Sequence, residues 1–220
     1  MQLTDSNFPS GAFSHSFGLE TFIQDGTVQD AASFQRFIEA YVLEQLTYTD
    51  GLAVRLVYEA LNSEVFERVE EIDQLLTVST AATESRLAAQ RIGQQMLRIC
   101  RQLFPHPWLE RYAESIKEKR CYGQTAIVQA LVMFASHIDK ELACETVMFG
   151  SASSLIQNAV RGIPLGQTDG QKAIQSVYKL FPQAMEKIQT LTIEDLGCKA
   201  PCLEIKQMQH EHLHVRLFMS

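Results

Sequence analysis

Two stretches of this chain, Ala126–His137 and Leu142–Val160, are apolar on nearly every side when wound as helices. A helix at a protein surface keeps one polar face, so helices of this kind must be enclosed by others. Gly150 and Ser151–Ser154 let neighbouring helices approach the second one closely. The chain has 220 residues, 46% of them hydrophobic and 20% charged, which is enough apolar material for one sizeable core.

The enclosing helices are legible from the 3.6-residue period. After Asp30, a helix N-cap, Phe34, Phe37, Ile38, Tyr41 and Val42 recur on one face. Leu52, Leu56 and Ala60 predict a second helix beginning after Asp50-Gly51. Near Leu87–Leu103 one narrow face carries Ile92, Met96, Cys100 and Leu103, with Arg91, Arg98 and Arg101 opposite. Pro105 and Pro107 stop that helix and leave Trp108 to pack just beyond. Ile174, Val177, Tyr178 and Phe181 predict a further helix ending near Pro182. Alternation with a period of two occurs only in the tail, where Leu213, Val215 and Leu217 interleave with His212, His214 and Arg216. The expected architecture is therefore all-α. It is a single helical-bundle-like domain over residues 1–220, of roughly eight to ten helices at ordinary helix lengths. Residues 1–16 are expected to be irregular and residues 198–220 to form an extended, partner-binding tail.

Between the second enclosed helix and the next one lies Gln157–Gln171, with three glycines, one proline and Arg161. Such a segment has a specified path, and either a site is built there or something docks there. Arg161 could act on phosphate in trans, as an arginine finger does. The plainer account is that it ties loop carbonyls to the scaffold.

The formal net charge of −7 argues against nucleic acid or an anionic membrane as the main partner. No basic and apolar leader opens the chain, and five cysteines in largely apolar contexts fit reduced thiols. A cytoplasmic protein is expected. Candidate chemistry is thin. Ser14-His15-Ser16-Phe17-Gly18 approaches a nucleophile elbow, but lacks its first glycine and a preceding strand. A turn that packs Phe13 and Phe17 inward explains it better. Cys198 and Cys202 with His210, His212 and His214 offer thiolate and imidazole, which suit zinc, copper or nickel, at a spacing that fits no standard site. Glu64, Glu67, Glu70 and Glu71 form an acidic counterpart to the arginine stripe, and the two are expected to be solvated or to pair with each other. No phosphate-binding loop, paired catalytic carboxylates or Cys/His dyad can be assigned, so no catalytic residue and no cofactor is expected.

Three motifs in order resemble the urease accessory protein F family (UreF). They are Leu3–Ser6 with Pro9–Glu20, then Asn158–Arg161 with Ile163–Gln167 and Gly170-Gln171, then His210-Glu211 with Arg216-Leu217-Phe218 and Ser220. The resemblance implies an all-α accessory factor, not itself an enzyme, for nickel incorporation into apo-urease. It implies a scaffold linking UreD (also called UreH) to the GTPase UreG, and a homodimer within that complex. The residues it points to for partner binding are Phe13, His15, Phe17, Arg161, His210, Glu211, Arg216, Leu217, Phe218 and Ser220. Two alternatives accompany it: regulation of the UreG GTPase cycle, in which Arg161 would act, and direct nickel binding by the tail His and Cys. Ala12 stands where the family has a second glycine, and Cys198, Cys202, His212 and His214 lie outside its pattern.

Overall fold

The structure, a computed structural model, describes residues 2–4, 8–197 and 199–220. Met1, the Asp5–Asn7 part of the opening motif and Cys198 lie outside the described residues. Helices make up the fold, and no strand occurs among the described residues. In chain order they are α1 (Leu19–Gln24), α2 (Ala31–Ala40), α3 (Leu52–Asn62), α4 (Phe66–Val78) and α5 (Thr83–Leu103). There follow α6 (Pro107–Lys117), α7 (Thr125–Ala135), α8 (Lys140–Gly162), α9 (Gln167–Thr190) and α10 (Pro201–Gln209).

The two enclosed helices are α7 and α8. Every residue from Ala126 to Met133 is buried, and none from Ala143 to Val160 is exposed. Leu142, expected inside, is instead 52% exposed at the first turn of α8. Around α8 pack α3, α7 and α9, and its N-terminal half joins one apolar cluster while its C-terminal half joins another. Cys144 and Val147 lie in the cluster formed with α3, α4 and α7. Met148, Leu155 and Ile156 lie in the one formed with α2 and α9.

Asp30 caps α2 as expected, in a reciprocal pair: Ser33 N donates to Asp30 Oδ1 at 2.8 Å, and Asp30 N donates to Ser33 Oγ at 3.1 Å. The break expected at Asp50-Gly51 is absent. Residues 31–62 form one helical rod whose middle, Tyr41–Gly51, is wound as a π-helix, and Thr47 Oγ1 donates to the Val42 carbonyl at 2.9 Å. Gly51 serves contact rather than a turn: a Cβ there would stand 2.6 Å from Ile188 Cδ1 and 2.7 Å from Met148 Sδ. The expected stop at Pro182 is absent too. α9 runs through it, because Val177, Phe181, Ala184 and Ile188 keep one buried face on both sides of the proline. In both places a local breaker yields to a continuous apolar seam.

α5 ends at Leu103, before Pro105, and the Trp108 ring then stacks on Phe66 at 5.5 Å. Ile92, Met96 and Cys100 are buried, whereas Leu103, assigned to the same face, is half exposed. The arginine stripe and the acidic run do not pair with each other: Arg101 pairs with Glu110, Glu67 with Arg111, and Glu70 with Arg120. The buried Asp73 carboxylate ties α4 to the turn before α7. It accepts Tyr112 OH at 2.5 Å and the backbone N–H groups of Tyr122, Gly123 and Gln124. Three helices end on a left-handed residue that is not glycine, Glu64, Lys119 and His137, and each is followed by a six-to-one backbone bond such as Val65 N to Ala60 O.

α5 approaches the turn before α7 so closely at Gly93 that a Cβ there would lie 2.0 Å from the Gly123 carbonyl oxygen and 2.8 Å from Gln124 C. Both obstacles are backbone and cannot rotate away. Gly93→Ala is expected to destabilise the protein by at least about 2 kcal/mol, the upper range of overpacking costs. Urea unfolding should show a lowered midpoint at unchanged slope.

Candidate functional site

The three sequence motifs meet at one corner of the molecule. The N-terminal segment reaches it through a turn in which Gly11 takes φ 87°, a short 3-10 turn over Ala12–Ser14, and Gly18 with φ 91° before α1. Gly18 must be glycine twice over, since a Cβ would also lie 2.8 Å from Gln207 Cγ of α10. α10 and a 3-10 turn over His210–His212 carry the chain to this corner, so the expected extended tail begins only after His212. From Leu213 to Ser220 the chain is irregular and lies back along the N-terminal segment.

The docking is made by main-chain bonds and buried polar side chains. Ser16 N and Phe17 N donate to the Ser220 main-chain oxygen at 2.6 and 3.0 Å, and Ser16 Oγ donates to it at 2.7 Å. Met219 N donates to Ser14 O at 2.8 Å, and His15 Nδ1 lies 2.8 Å from Ser220 Oγ. Burial, reinforced by nearby Arg91 and His210, holds the His15 pKa below its ordinary value. The Glu20 side chain, 3% exposed, accepts Leu217 N at 2.5 Å through Oε1 and Phe218 N at 3.0 Å through Oε2. His210, wholly buried, lies between Glu20 and Glu84 of α5, and Arg216 NH1 donates to Glu84 Oε1 at 2.7 Å. Burial alone would raise the Glu84 carboxyl, but the hydrogen bonds from His210 and Arg216 outweigh it and hold its pKa below the ordinary range.

The central motif supports the N-terminal one from beneath. Asn158, fully buried on α8, donates through Nδ2 to the His15 carbonyl at 2.6 Å. Arg161 donates to Phe13 O at 2.9 Å and bonds Asn158 Oδ1; its guanidinium lies 3.6 Å from the Phe13 ring centroid and 5.0 Å from that of Phe218. Gln157–Arg161 is thus helix rather than loop, and only Ile163–Gly166 separate α8 from α9. Phe13 is not packed inward as expected. It is 48% exposed beneath Arg161, while Phe17 is half-buried.

All ten residues assigned to partner binding come to this corner, but they divide into two sets. His15, His210, Phe218 and Ser220 are buried in internal contacts, Phe13, Arg161, Glu211, Arg216 and Leu217 are exposed, and Phe17 lies between the two sets, half-buried. Exposed beside them, and not among the ten, are Val215 and Met219. Sequence reasoning also missed Glu84 altogether, and gave no role to Glu20, Ser16 and Asn158 although it quoted them; their positions in the motifs were the available signal. The elbow-like Ser16 is spent on the Ser220 oxygen. As for metal, both ring nitrogens of His210 already face carboxylates, and His212, His214 and Cys202 are exposed. Among the described residues no group of three or more His, Cys, Asp or Glu side chains is arranged to hold a metal ion. Behind the N-terminal segment a cavity of about 570 Å³ reaches the π-helical stretch and α8, where Ser151 Oγ donates to Asp50 at 2.9 Å.

The fold and the corner together define an all-helical protein that spends buried polar groups on joining its own two ends and leaves apolar side chains exposed beside the junction. The particular family follows from comparison. A family model described as UreF matches residues 28–178. The chain is 48% identical over 219 residues to the urease accessory protein UreF of Bacillus sp. (strain TB-90), covering 100% of this chain and 96% of the relative. It is 45% identical over 220 residues to that of Lachnoclostridium phytofermentans, with the same coverage. The chain belongs to the UreF family of urease accessory proteins.

Two outcomes are expected. Asn158→Ala leaves the His15 carbonyl without its donor and removes one of the acceptors of Arg161, and should cost about 1–3 kcal/mol, the penalty for an unsatisfied buried group, read as a lowered urea midpoint. Acid should also loosen the tail. Because the Glu84 pKa is lowered on folding, its contribution is fully present above the ordinary glutamate value of about 4.3. It is lost as pH falls through the lower folded value. Amide exchange at Leu217 and Phe218 should therefore accelerate below about pH 4 relative to the core helices.

Proposed function

We propose that this protein is a non-catalytic scaffold of urease maturation, required for nickel incorporation into apo-urease, that links UreD/UreH to the GTPase UreG. It acts in the cytoplasm, as a homodimer within that complex. Membership of the UreF family supports an accessory role in urease maturation, and the geometry of the joined chain ends supports docking as its means. The carrying observation is the apolar row Phe13, Val215, Leu217 and Met219, exposed at 48, 72, 71 and 60%, on a backbone already fixed by buried hydrogen bonds. A row held rigid before binding avoids much of the ordering entropy that a disordered tail would incur on contact. Each side chain buried by a partner then contributes about 1.5–3 kcal/mol. The tail is assigned to UreD/UreH on the family resemblance.

Regulation of the GTPase through Arg161 finds less support. Its guanidinium is committed to the Phe13 carbonyl, Asn158 and two aromatic rings, which is the geometry of a residue that positions the N-terminal segment.

Val215→Asp with Leu217→Asp changes two largely exposed side chains, so far-UV circular dichroism and thermal midpoint should stay as in the wild type. Capture of UreD/UreH should weaken at least tenfold, which is about 1.4 kcal/mol. Undiminished capture would overturn the assignment of this row.

A further inference from the structure

The cavity behind the N-terminal segment holds about 570 Å³, within the range of small-molecule sites. Leu46, Ile92, Met96 and Leu155 give it apolar walls, and among the described residues no Lys, Arg or Glu lines it. Four residues of the π-helical stretch, Tyr41, Gln45, Thr49 and Asp50, also line it. Residues five apart stand about 140° from one another around an α-helix, so α winding would turn Asp50 away from the side that Gln45 occupies. The i→i+5 bonds of a π-helix bring the two onto one face. The winding that carries the rod past Asp50-Gly51 thus also furnishes the cavity with a carboxylate.

That carboxylate lacks a counter-charge. Ser151 Oγ donates to Asp50 Oδ2 at 2.9 Å, and Oδ1 accepts nothing among the described residues. Burial pushes the Asp50 pKa up, and no cation stands close enough to draw it back down. Thr49 Oγ1 spends its proton on the Gln45 carbonyl at 2.8 Å and keeps its lone pairs. Gln45 Oε1 is buried without a donor, an arrangement that a donor arriving from the cavity would relieve once the amide turns. From α7, Gln129 lines the same space; it is 7% exposed, and its side-chain amide has no hydrogen-bond partner among the described residues. Buried polar groups normally find partners, so these mark the place of a ligand. An ammonium group brings three N–H donors and the missing positive charge. An anion would meet no cation in the lining, and a divalent metal would meet a single carboxylate.

We propose that the cavity binds a small primary amine: the ammonium group sits against Asp50 and Gln45, an alkyl stem runs along Leu46, Ile92 and Leu155, and Gln129 hydrogen-bonds a polar group on that stem. Binding pairs a carboxylate that the fold leaves alone, and the apolar walls strengthen the pairing by keeping water out. The ligand lies directly behind the N-terminal segment, because Leu3, Phe8 and Phe13 form part of the same wall.

The test uses the full chain labelled with ¹⁵N and titrated with 5-amino-1-pentanol at constant ionic strength. Amide shifts should centre on Gln45, Asp50, Gln129 and Ser151 and saturate at one molecule per chain. Pentane-1,5-diol has nearly the same shape without the charge and should bind at least about tenfold more weakly. Asp50→Asn should lower affinity for the amine about tenfold and leave that for the diol unchanged, a split that a merely structural role would not give. Gln129→Met leaves the carboxylate in place and should weaken the amine about fivefold, the loss of one hydrogen bond, so the site stays testable if Asp50→Asn fails to fold. Equal binding of amine and diol would overturn the proposal, as would shifts centred on exposed carboxylates or full affinity in either folded variant. Potassium chloride reproducing the same shifts would hand the cavity to an inorganic cation and overturn it too. None of these readouts involves a partner protein, so their failure leaves the docking reading standing.

Discussion

A helix that is apolar on nearly all sides can exist in water only inside other helices, and α8 imposes that requirement on the rest of the chain. The long rod over residues 31–62 and α9 supply much of its enclosure, and they do so by ignoring local instructions to stop. The rod passes Asp50-Gly51 because Gly51 is needed where Ile188 and Met148 come closest. α9 passes Pro182 because breaking there would strip Ala184 and Ile188 from the seam begun by Val177 and Phe181. The loss of one backbone bond at a proline is small beside several buried side chains, each contributing about 1.5–3 kcal/mol.

Enclosing α8 also fixes where the two ends of the chain meet. Its last turns present Asn158 and Arg161 beneath the N-terminal segment, and these two side chains set the path of His15 and Phe13. That path brings the Ser16 and Phe17 amides to the Ser220 oxygen. Glu20 then completes the junction by taking two tail amides on one carboxylate. The exposed side chains of Phe13, Val215, Leu217 and Met219 are the outward side of this arrangement, so the buried bonds and the exposed apolar side chains are two aspects of one structure.

The fold was largely legible in the amino-acid order. Asp30 as a cap, the 3.6-residue period, the stop before Pro105 and the two enclosed runs were each readable from residues near one another in sequence. α10 was not, because its inward positions Leu203 and Gln207, continued by His210, are partly polar and carry no apolar rhythm. The alternation in the tail was real, but it could not say which side faces water. Val215 and Leu217 point outward, while Phe218 and Ser220 are buried.

By itself, then, the sequence determined an all-α chain, its enclosed helices and three motifs resembling one family, because those depend on local period and residue type. Only the tertiary structure decided that the three motifs are one site. Asn158 and His15 are 143 residues apart in sequence, and His210 and Glu20 are 190 apart. No local pattern encodes which buried acceptor a distant donor will meet. That is settled when the helices pack around α8 and each buried polar group must find a partner.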